Sequence, residues 1–327
     1  MNSRSQGVSA ETLTFGTGNS EQHPINQRFF IPWSEKVNAE ANGQVEIDLR
    51  HGKMLVNTTN YVDRIADDVI QIGRGIKVFN PGRFPRSLVS TVPFIEGSAE
   101  AAAIAYCSLY ESGAFDEELG DLVPLFFVNF PQSSAHLNGP PITTMSDLKG
   151  KKIMVGSPIQ SQIVSAYGGT PLSIIAPEHY QAPQRNTADG SFMTFTAFPG
   201  FKLDVVNTDH ITLPLGGATG MAFMSRERYE ALSDEARTVL DANSGCTVTC
   251  SMGATVDQWQ AGSRDYIEAK GDPMFTAIDE QELNTMREKL NDGIEAGFGE
   301  RVTGGAALRC WRNGKRLWRL QGARLVN

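Results

Sequence analysis

The chain has 327 residues, of which 40% are hydrophobic and 20% charged, and a formal net charge of −8. This length predicts two domains of ordinary size. The acidic balance argues against nucleic-acid binding, which requires a basic surface, and no apolar run approaches a membrane span. Residues 1–12 are polar without an apolar core, so we expect either a cytoplasmic protein or an exported chain whose signal peptide has been removed.

Strand and helix patterns alternate along the first 80 residues. The pattern predicts strands at 13–15, 45–49 and 69–73, separated by helices at 23–41 and 57–67. Pro32 is expected to kink the first of these helices. This alternation favours a mostly parallel sheet with helices on both faces.

The middle of the chain carries its most apolar run and a capped helix. Residues 122–130, LVPLFFVNF, are too short for a buried helix and predict a central strand that ends at Phe130. A strand at 152–155 is followed by Ser157, which can cap a helix with Pro158 at its first position. Ligands collect at the carboxyl ends of strands in open α/β sheets, so Met154 is a candidate site residue.

From residue 191 onward, the sequence patterns that predict helices and strands are less regular. Residues 191–201 carry a phenylalanine at every third position, but Pro199-Gly200 would end a helix there early. A helix that starts at Ser233 is expected to run past Gly245 to about residue 269, long enough to bridge two domains. A strand at 274–278 and a helix at 279–296 follow. The basic end of the chain, from Arg301, favours a solvated terminus over a lipid or nucleic-acid contact.

The cysteines and histidines give no metal-binding pattern. Cys246 and Cys250 would share one helix face, but no second pair stands at the spacing of a metal site, so small buried thiols are favoured. The five histidines are expected at loop ends. We therefore expect no metal and no cofactor.

Several motifs in order resemble a known family. His51-Gly52-Lys53-Met54-Leu55 is similar to a family "NGQLG" loop, and DLKGKKI at 147–153 is similar to "DLKGLKIR". The segment 178–190, with its spaced Glu, Tyr, Ala and Gln and its Asp-Gly end, resembles "EVYxALQxGxVDG". Together they resemble the extracytoplasmic solute-binding proteins of tripartite ATP-independent periplasmic (TRAP) transporters, of the dicarboxylate-binding DctP-like type, over residues 13–298.

The resemblance implies an α/β, two-lobed periplasmic-binding-protein fold. Its mixed, mostly parallel sheets have flanking helices, and a long helix spans both domains. We expect lobe I at 11–124 and 211–250, lobe II at 125–210 and 251–299, and a basic tail at 300–327.

The same resemblance implies a function. A small organic solute is captured between the lobes by hinge closure and passed to the membrane permease subunits of a TRAP transporter. It also implies a periplasmic location for the mature chain and a protein that is not an enzyme.

At the positions where the family has polar ligand-binding residues, this chain has different residues. Its ligand-binding arginines fall on Met154 and Ser134, its asparagine falls on Met193, and its first-lobe polar contact falls near Ile76. Burying a carboxylate against methionines without a partner is costly, so we expect a weakly polar, aromatic or branched apolar ligand. The predicted ligand-binding residues are Met154, Phe192, Met193, Arg74, Ile76, His23, Phe130, Ser134 and Phe198. Ordinary core packing is the alternative for the apolar ones, and Arg74, His23 or His136 would anchor an apolar acid.

Two other functions stay open at this stage. An enzyme on a two-lobed α/β scaffold is one, although the chain carries no G-x-S-x-G elbow, no H-E-x-x-H pair and no phosphate loop. A binding protein that feeds a sensor rather than a permease is the other, and the sequence does not separate it from a transport protein.

Overall fold

The computed structural model describes residues 11–95, 97–139, 142–174, 176–271 and 274–301. These residues form two compact units. The first unit comprises the described residues up to Ile76 together with Leu119–Val128 and Gly220–Thr249. The second comprises Lys77–Glu118, Asn129–Thr219 and the described residues from Cys250 onward. The predicted lobe boundaries stay a prediction, and all but the first two residues of the predicted basic tail lie outside the described residues.

The strands, in chain order, are β1 (Glu11–Thr17), β2 (Val45–His51), β3 (Ile72–Ile76), β4 (Leu122–Phe130), β5 (Ser134–Leu137), β6 (Lys152–Met154), β7 (Thr170–Leu172), β8 (Gly190–Met193), β9 (Asp209–Ile211), β10 (Ala218–Ser225) and β11 (Met274–Thr276). The α-helices are α1 (Ile31–Glu40), α2 (Tyr61–Ala66), α3 (Ala99–Glu111), α4 (Asp116–Leu119), α5 (Pro158–Ala166), α6 (Gln181–Gln184), α7 (Ala197–Phe201), α8 (Arg226–Glu230), α9 (Asp234–Ala242), α10 (Gly245–Glu268) and α11 (Glu280–Arg301). A π-helical turn covers Asn26–Phe30, and 3₁₀ turns cover Lys77–Phe79, Arg86–Thr91, Met145–Leu148, Ala176–Glu178 and Leu203–Val205.

Two mixed sheets organise these elements. The first has the strand order β2-β1-β3-β10-β4, with β1 parallel to both β2 and β3 and with β10 antiparallel to β3. The second has the order β11-β9-β5-β8-β6-β7, in which β5 is antiparallel to both of its neighbours. The predicted architecture of two mixed sheets with flanking helices is confirmed.

Several strands and helices begin or end where the local sequence predicted. The apolar run Leu122–Phe130 forms β4 over its full predicted length. Ser157 caps α5, because its hydroxyl oxygen accepts a hydrogen bond from the Gln160 N–H at 3.1 Å, and Pro158 stands in the first turn. Pro32 lies directly after the π-helical turn Asn26–Phe30, so the helical stretch predicted at 23–41 changes its hydrogen-bond pattern just before this proline.

Two predicted helices have different bounds in the structure. The long helix expected from Ser233 is divided into α9 and α10, because Gly245 has a φ of +80°, a left-handed conformation that ends helices. The helix expected from residue 57 begins only at Tyr61. The Asn57 side chain accepts hydrogen bonds from the N–H groups of Thr59 and Asn60 and holds a turn there instead.

The second unit contains a buried charged network around Lys77. Its ammonium donates to the Ser87 hydroxyl at 3.0 Å and to the Tyr106 hydroxyl at 2.9 Å. The Ser87 hydroxyl in turn donates to the Glu118 carboxylate. Lys77 is 1% exposed and Glu118 4% exposed, so the two opposite charges compensate each other inside the protein through one hydroxyl.

Glu118→Gln is expected to lower the free energy of unfolding by about 3 kcal/mol, because it removes the carboxylate charge that compensates the buried Lys77 ammonium. The double variant Lys77→Met/Glu118→Gln is expected to recover much of that loss, since an uncharged replacement of both partners removes the desolvation cost. Urea unfolding of the three proteins measures both effects.

Arg237→Ala is the control for this experiment. Arg237 pairs with Asp234 at the exposed start of α9, and removing such a pair is expected to cost about 1 kcal/mol or less. A double variant that is no more stable than Glu118→Gln would contradict the compensation of Lys77 by Glu118.

Candidate functional site

Arg74 is the central charged group of the site in the first unit. It lies on β3 between two glycines, opposite Ala222 of β10, and its guanidinium carbon is 5.9 Å from the centroid of the Phe30 ring. Ile76 lies two residues further on the same strand, so the two side chains point to the same face. The structure thus brings these two predicted residues together.

The guanidinium of Arg74 is half-buried and has no counter-ion among the described residues. Within the described residues, its Nε is buried without a hydrogen-bond partner, and the guanidinium takes part in no ion pair. Burial lowers the pKa of Arg74 to about 10, so the group still carries its charge at neutral pH. A desolvated cation without an anion is an unfavourable arrangement that a bound anion would relieve.

His23 is the third predicted residue of this unit, and it is uncharged. Its Nδ1 accepts a hydrogen bond from the Ile25 N–H at 3.2 Å. Burial, and then the charge of Arg74, lower the pKa of His23 to about 4. At neutral pH the neighbourhood of Arg74 therefore carries one positive charge and not two.

In the second unit, the strand register collects polar residues on one face of the sheet. Ser134 of β5 lies opposite Met193 of β8, and His136 lies opposite both Ser191 and His210. Met154 of β6 is also paired with Ser191. Because paired residues point to the same side of a sheet, these side chains share a face, which we call the histidine face: Ser134, His136, Met154, Ser191, Met193 and His210.

Two histidines on this face have their tautomers fixed by hydrogen bonds. His136 Nε2 is 2.9 Å from the Met193 carbonyl oxygen, which can only accept, so His136 carries its proton on Nε2. His136 Nδ1 is therefore an acceptor, and His210 Nδ1, at 2.9 Å, donates to it. Burial lowers the pKa of His136 well below its ordinary value, which keeps both rings neutral in this arrangement.

A third buried histidine lies near this pair. His179 Nε2 donates to the Ile174 carbonyl oxygen at 2.8 Å. Burial lowers the pKa of both His179 and His210 to about 4, and the charge of Arg264 contributes at His210. All three rings are therefore uncharged at neutral pH.

Aromatic rings surround His210. The ring centroids of Phe195, Phe198 and Phe275 lie 5.8, 5.3 and 5.1 Å from that of His210. Helix α10 covers this cluster, with the Arg264 guanidinium carbon 5.1 Å from the Phe275 ring centroid. His210 is thus surrounded by aromatic rings, with the Arg264 guanidinium lying against two of them.

The other predicted residues of the second unit are distributed as follows. Phe198 joins the aromatic cluster, and Met154 is fully buried against Ala182 and Ala188. Phe192 neighbours Met193 on β8 and so points to the opposite face. Phe130, at the end of β4, lies 6.4 Å from the Trp259 ring. As a ligand-binding set, the nine residues stay a prediction.

The sequence did not reveal the His136–His210 pair. Both histidines were expected at loop ends, but each lies inside a short strand, in the segments Ser134–Leu137 and Asp209–Ile211. Neither segment has an apolar run or an alternation long enough to predict a strand. The feature of the sequence that could have indicated a strand is a histidine flanked by an aliphatic residue in each segment, and it is a weak indication.

The expectation of free, buried thiols was wrong for two cysteines. Cys107 and Cys246 are disulfide-bonded, while Cys250 has a free thiol and is half-buried. A disulfide forms between cysteines that the fold brings together, so the spacing of cysteines along the chain does not predict which of them are bonded. Cys310 lies outside the described residues.

Comparison with known proteins identifies the family. The model of the family described as "Bacterial extracellular solute-binding protein, family 7" (DctP) matches residues 15–298. The chain belongs to this family. The resemblance to TRAP solute-binding proteins seen in the sequence is confirmed, and the family consists of solute-binding proteins rather than enzymes.

Solved structures share the fold of this family member over nearly its whole length. A TRAP solute-binding protein from a marine metagenome, described as specific for aromatic acids and bound to 3-hydroxybenzoate, has 24% identity and a TM-score of 0.89 and covers 95% of this chain and 99% of its own. One from Rhodoferax ferrireducens, bound to copurified benzoate, has 23% identity and a TM-score of 0.88, with 97% and 99% covered. A curated protein of Comamonas testosteroni, "Outer membrane transporter protein TsaT", is 23% identical over 92% of this chain and 90% of its own length.

Among the described helices, none combines the length and the hydropathy that crossing a bilayer requires. Within the same residues, no three His, Cys, Asp or Glu side chains are grouped as metal ligands.

The three low histidine pKa values predict that stability falls on acidification. The unfolded chain binds protons to its histidines near pH 6.5, whereas folded His23, His179 and His210 do so only near pH 4. Between these values the unfolded state binds more protons, so the free energy of unfolding decreases as the pH is lowered through this window. For a fully buried histidine the slope reaches about 1.4 kcal/mol per pH unit.

Urea unfolding at about pH 7, 6 and 5 measures this slope, and His179→Gln is expected to make it shallower. Tyr180→Phe, next in the chain, leaves every histidine in place and is expected to keep the slope of the parent protein. An equal slope in His179→Gln and the parent would show that folded His179 does not have a lowered pKa.

Proposed function

We propose that this chain captures an aromatic monocarboxylate in the periplasm and passes it to the permease of a TRAP transporter. The observation that carries the proposal is Arg74, a half-buried guanidinium that has no counter-ion among the described residues. A guanidinium binds a carboxylate through two parallel hydrogen bonds. The ligand would therefore supply the missing negative charge.

The ligands of the solved relatives support an acid with one aromatic ring. The marine protein is described with 3-hydroxybenzoate, the Rhodoferax protein with benzoate, and a protein from Bordetella bronchiseptica, 24% identical, with mandelate. Each of these compounds joins a single carboxylate to an aromatic ring. The same chemistry fits one unpaired cation together with the apolar residues of the predicted site.

A monocarboxylate is favoured over a dicarboxylate by the residues of the second unit. Met154, Ser134 and Met193 stand where the family resemblance expects two arginines and an asparagine. A second carboxylate there would be desolvated without a charged partner. Methionine and phenylalanine side chains instead suit an aromatic ring, since the thioether of methionine is polarisable and adaptable.

The family and the cysteines support the proposed periplasmic location, and the family supports the permease as partner. The family is extracellular by description, and the disulfide-bonded Cys107 and Cys246 suit an oxidising compartment such as the periplasm. Delivery to a permease requires that the ligand favour one conformation of the two lobes over another. We propose hinge closure on the ligand as that step.

Arg74→Met tests the proposal together with a panel of benzoate, benzamide and succinate. Benzoate at about 100 times its dissociation constant is expected to stabilise the parent protein by about 2.7 kcal/mol, and benzamide, which lacks the charge, is expected to have little effect. Arg74→Met is expected to weaken benzoate binding about 30-fold or more. Without ligand, the variant is expected to be at least as stable as the parent, because an uncompensated cation has been removed.

Thermal unfolding and isothermal titration calorimetry measure these effects. Arg50→Ala is the matched control, since Arg50 belongs to the same unit but is exposed and paired with Asp48, and benzoate binding should be unchanged in it. Stabilisation by succinate but not by benzoate would contradict an aromatic monocarboxylate. Undiminished benzoate binding in Arg74→Met would remove Arg74 from the site.

A further inference from the structure

Three neighbouring parallel strands of the first unit bring His51, Thr17 and Arg74 to one level. Thr17, the last residue of β1, is paired with His51, the last residue of β2. On the other side of β1, Gly16 is paired with Gly73 of β3, so Arg74 lies level with Thr17. Because residues at one level of a parallel sheet point to the same face, these three side chains form a row across the strands, which we call the strand-end row.

The side chain of Asn26 is bonded to two members of the strand-end row. Its Oδ1 accepts a hydrogen bond from the Thr17 hydroxyl at 3.2 Å, and its Nδ2 lies 3.1 Å from His51 Nδ1. Nδ2 also donates to the carbonyl oxygens of Asn19 and Ser20, at 3.3 and 2.7 Å. Because a carbonyl oxygen can only accept, these two bonds determine the orientation of the amide and make His51 Nδ1 an acceptor.

The third member of the row, Arg74, is contacted by the turn that Asn26 begins. This π-helical turn ends at Phe30, and the guanidinium carbon of Arg74 lies over the Phe30 ring, 5.9 Å from its centroid. Phe30 is fully buried and packs edge-on against Phe15 of β1, at 5.1 Å between centroids. The turn is thus bonded to β1 and β2 at its first residue and contacts Arg74 with its last.

The loop that joins β1 to this turn carries His23. The His23 N–H donates to the Ser20 carbonyl oxygen at 3.0 Å, and the Asn26 N–H donates to the His23 carbonyl oxygen at 2.9 Å. Burial first, and then the charge of Arg74, lower the pKa of His23 to about 4, so this loop lies close to the guanidinium. His23 and Arg74 are both partly exposed, and a solute in water therefore reaches this edge of the unit.

A carboxylate binds Arg74 well only if the guanidinium fork is held in place. Two parallel hydrogen bonds require the fork and the carboxylate to be aligned, and binding groups need positions fixed to within about 0.5 Å. An arginine side chain that rotates freely must also lose that freedom on binding, which lowers the affinity. The Phe30 ring, in the turn that Asn26 attaches to the strands, supplies a flat surface for the guanidinium.

We propose that Asn26 is a positioning residue for carboxylate binding at Arg74. It joins the ends of β1 and β2 to the turn that carries Phe30 and to the loop that carries His23. It contacts no ligand itself, since it is 0% exposed. The inference rests on the proposed function and concerns the first unit alone. Asn26 therefore sets the affinity for the carboxylate and not only the stability of the chain.

Asn26→Ala tests the proposal by isothermal titration calorimetry with benzoate, on the full chain and well below its melting temperature. Its affinity is expected to be about tenfold lower than that of the parent, the loss of one of the two charge-assisted hydrogen bonds to the guanidinium. Added to Arg74→Met, the same substitution is expected to lower the affinity no further, because residues that act through one interaction are not additive.

Thr17→Val is a milder variant that keeps the β-branched shape and removes only the donor to Asn26 Oδ1. It is expected to lower the benzoate affinity about threefold, and it decides the question if Asn26→Ala does not fold.

Asn243→Ala is the matched control. Asn243 is likewise a buried asparagine of the first unit, 1% exposed, but its amide donates to Glu40 at 2.7 Å and to the Val239 carbonyl oxygen at 3.0 Å rather than to the strand-end row. This variant is expected to melt at a lower temperature and to bind benzoate like the parent.

Equal benzoate affinities in the parent and in the folded Asn26→Ala or Thr17→Val variants would overturn the inference and leave the proposed function in place. An equal loss in Asn26→Ala and Asn243→Ala would overturn it as well, since the loss would then reflect general loosening of the unit. A further loss in the double variant with Arg74→Met would show that Asn26 does not act through Arg74. If the parent does not bind benzoate, the proposed function fails and the inference fails with it.

Discussion

The register of β5 against its two neighbours is the constraint on which the second unit depends. One strand places Ser134 opposite Met193 and His136 opposite both Ser191 and His210. A slip of one residue would turn every one of these side chains to the other face of the sheet. The antiparallel pairing on both sides of β5 therefore decides which side chains share the histidine face, and it does so through backbone hydrogen bonds rather than through the side chains themselves.

The two units leave different polar requirements unmet. Among the described residues, Arg74 of the first unit has no anion beside it, and the Nε2 of His210 in the second has no hydrogen-bond partner. The Lys77 network shows that this fold can compensate a buried cation fully when the cation serves only stability. The Lys77 ammonium thus has its partner within the chain, whereas Arg74 and His210 have none among the described residues.

Much of the fold could be predicted from local patterns, because those patterns act within a few residues. The apolar run of β4 and the Ser157 cap of α5 are read directly from neighbouring side chains. The histidine pair could not be predicted, since the contact between His136 and His210 depends on strands that are 74 positions apart in sequence. Arg74 was predicted as a candidate, but its lack of a counter-ion is a property of the packed structure.

The tautomer of His210 has a consequence for which part of the chain sets the polarity of the histidine face. A backbone carbonyl, that of Met193, determines through two successive rings whether an atom far from it accepts or donates. Every amino acid has such a carbonyl, so the side chain at position 193 can drift in evolution while the polarity at His210 is inherited unchanged. Homologues that differ at this position would then share a tautomer that an alignment of their sequences does not display.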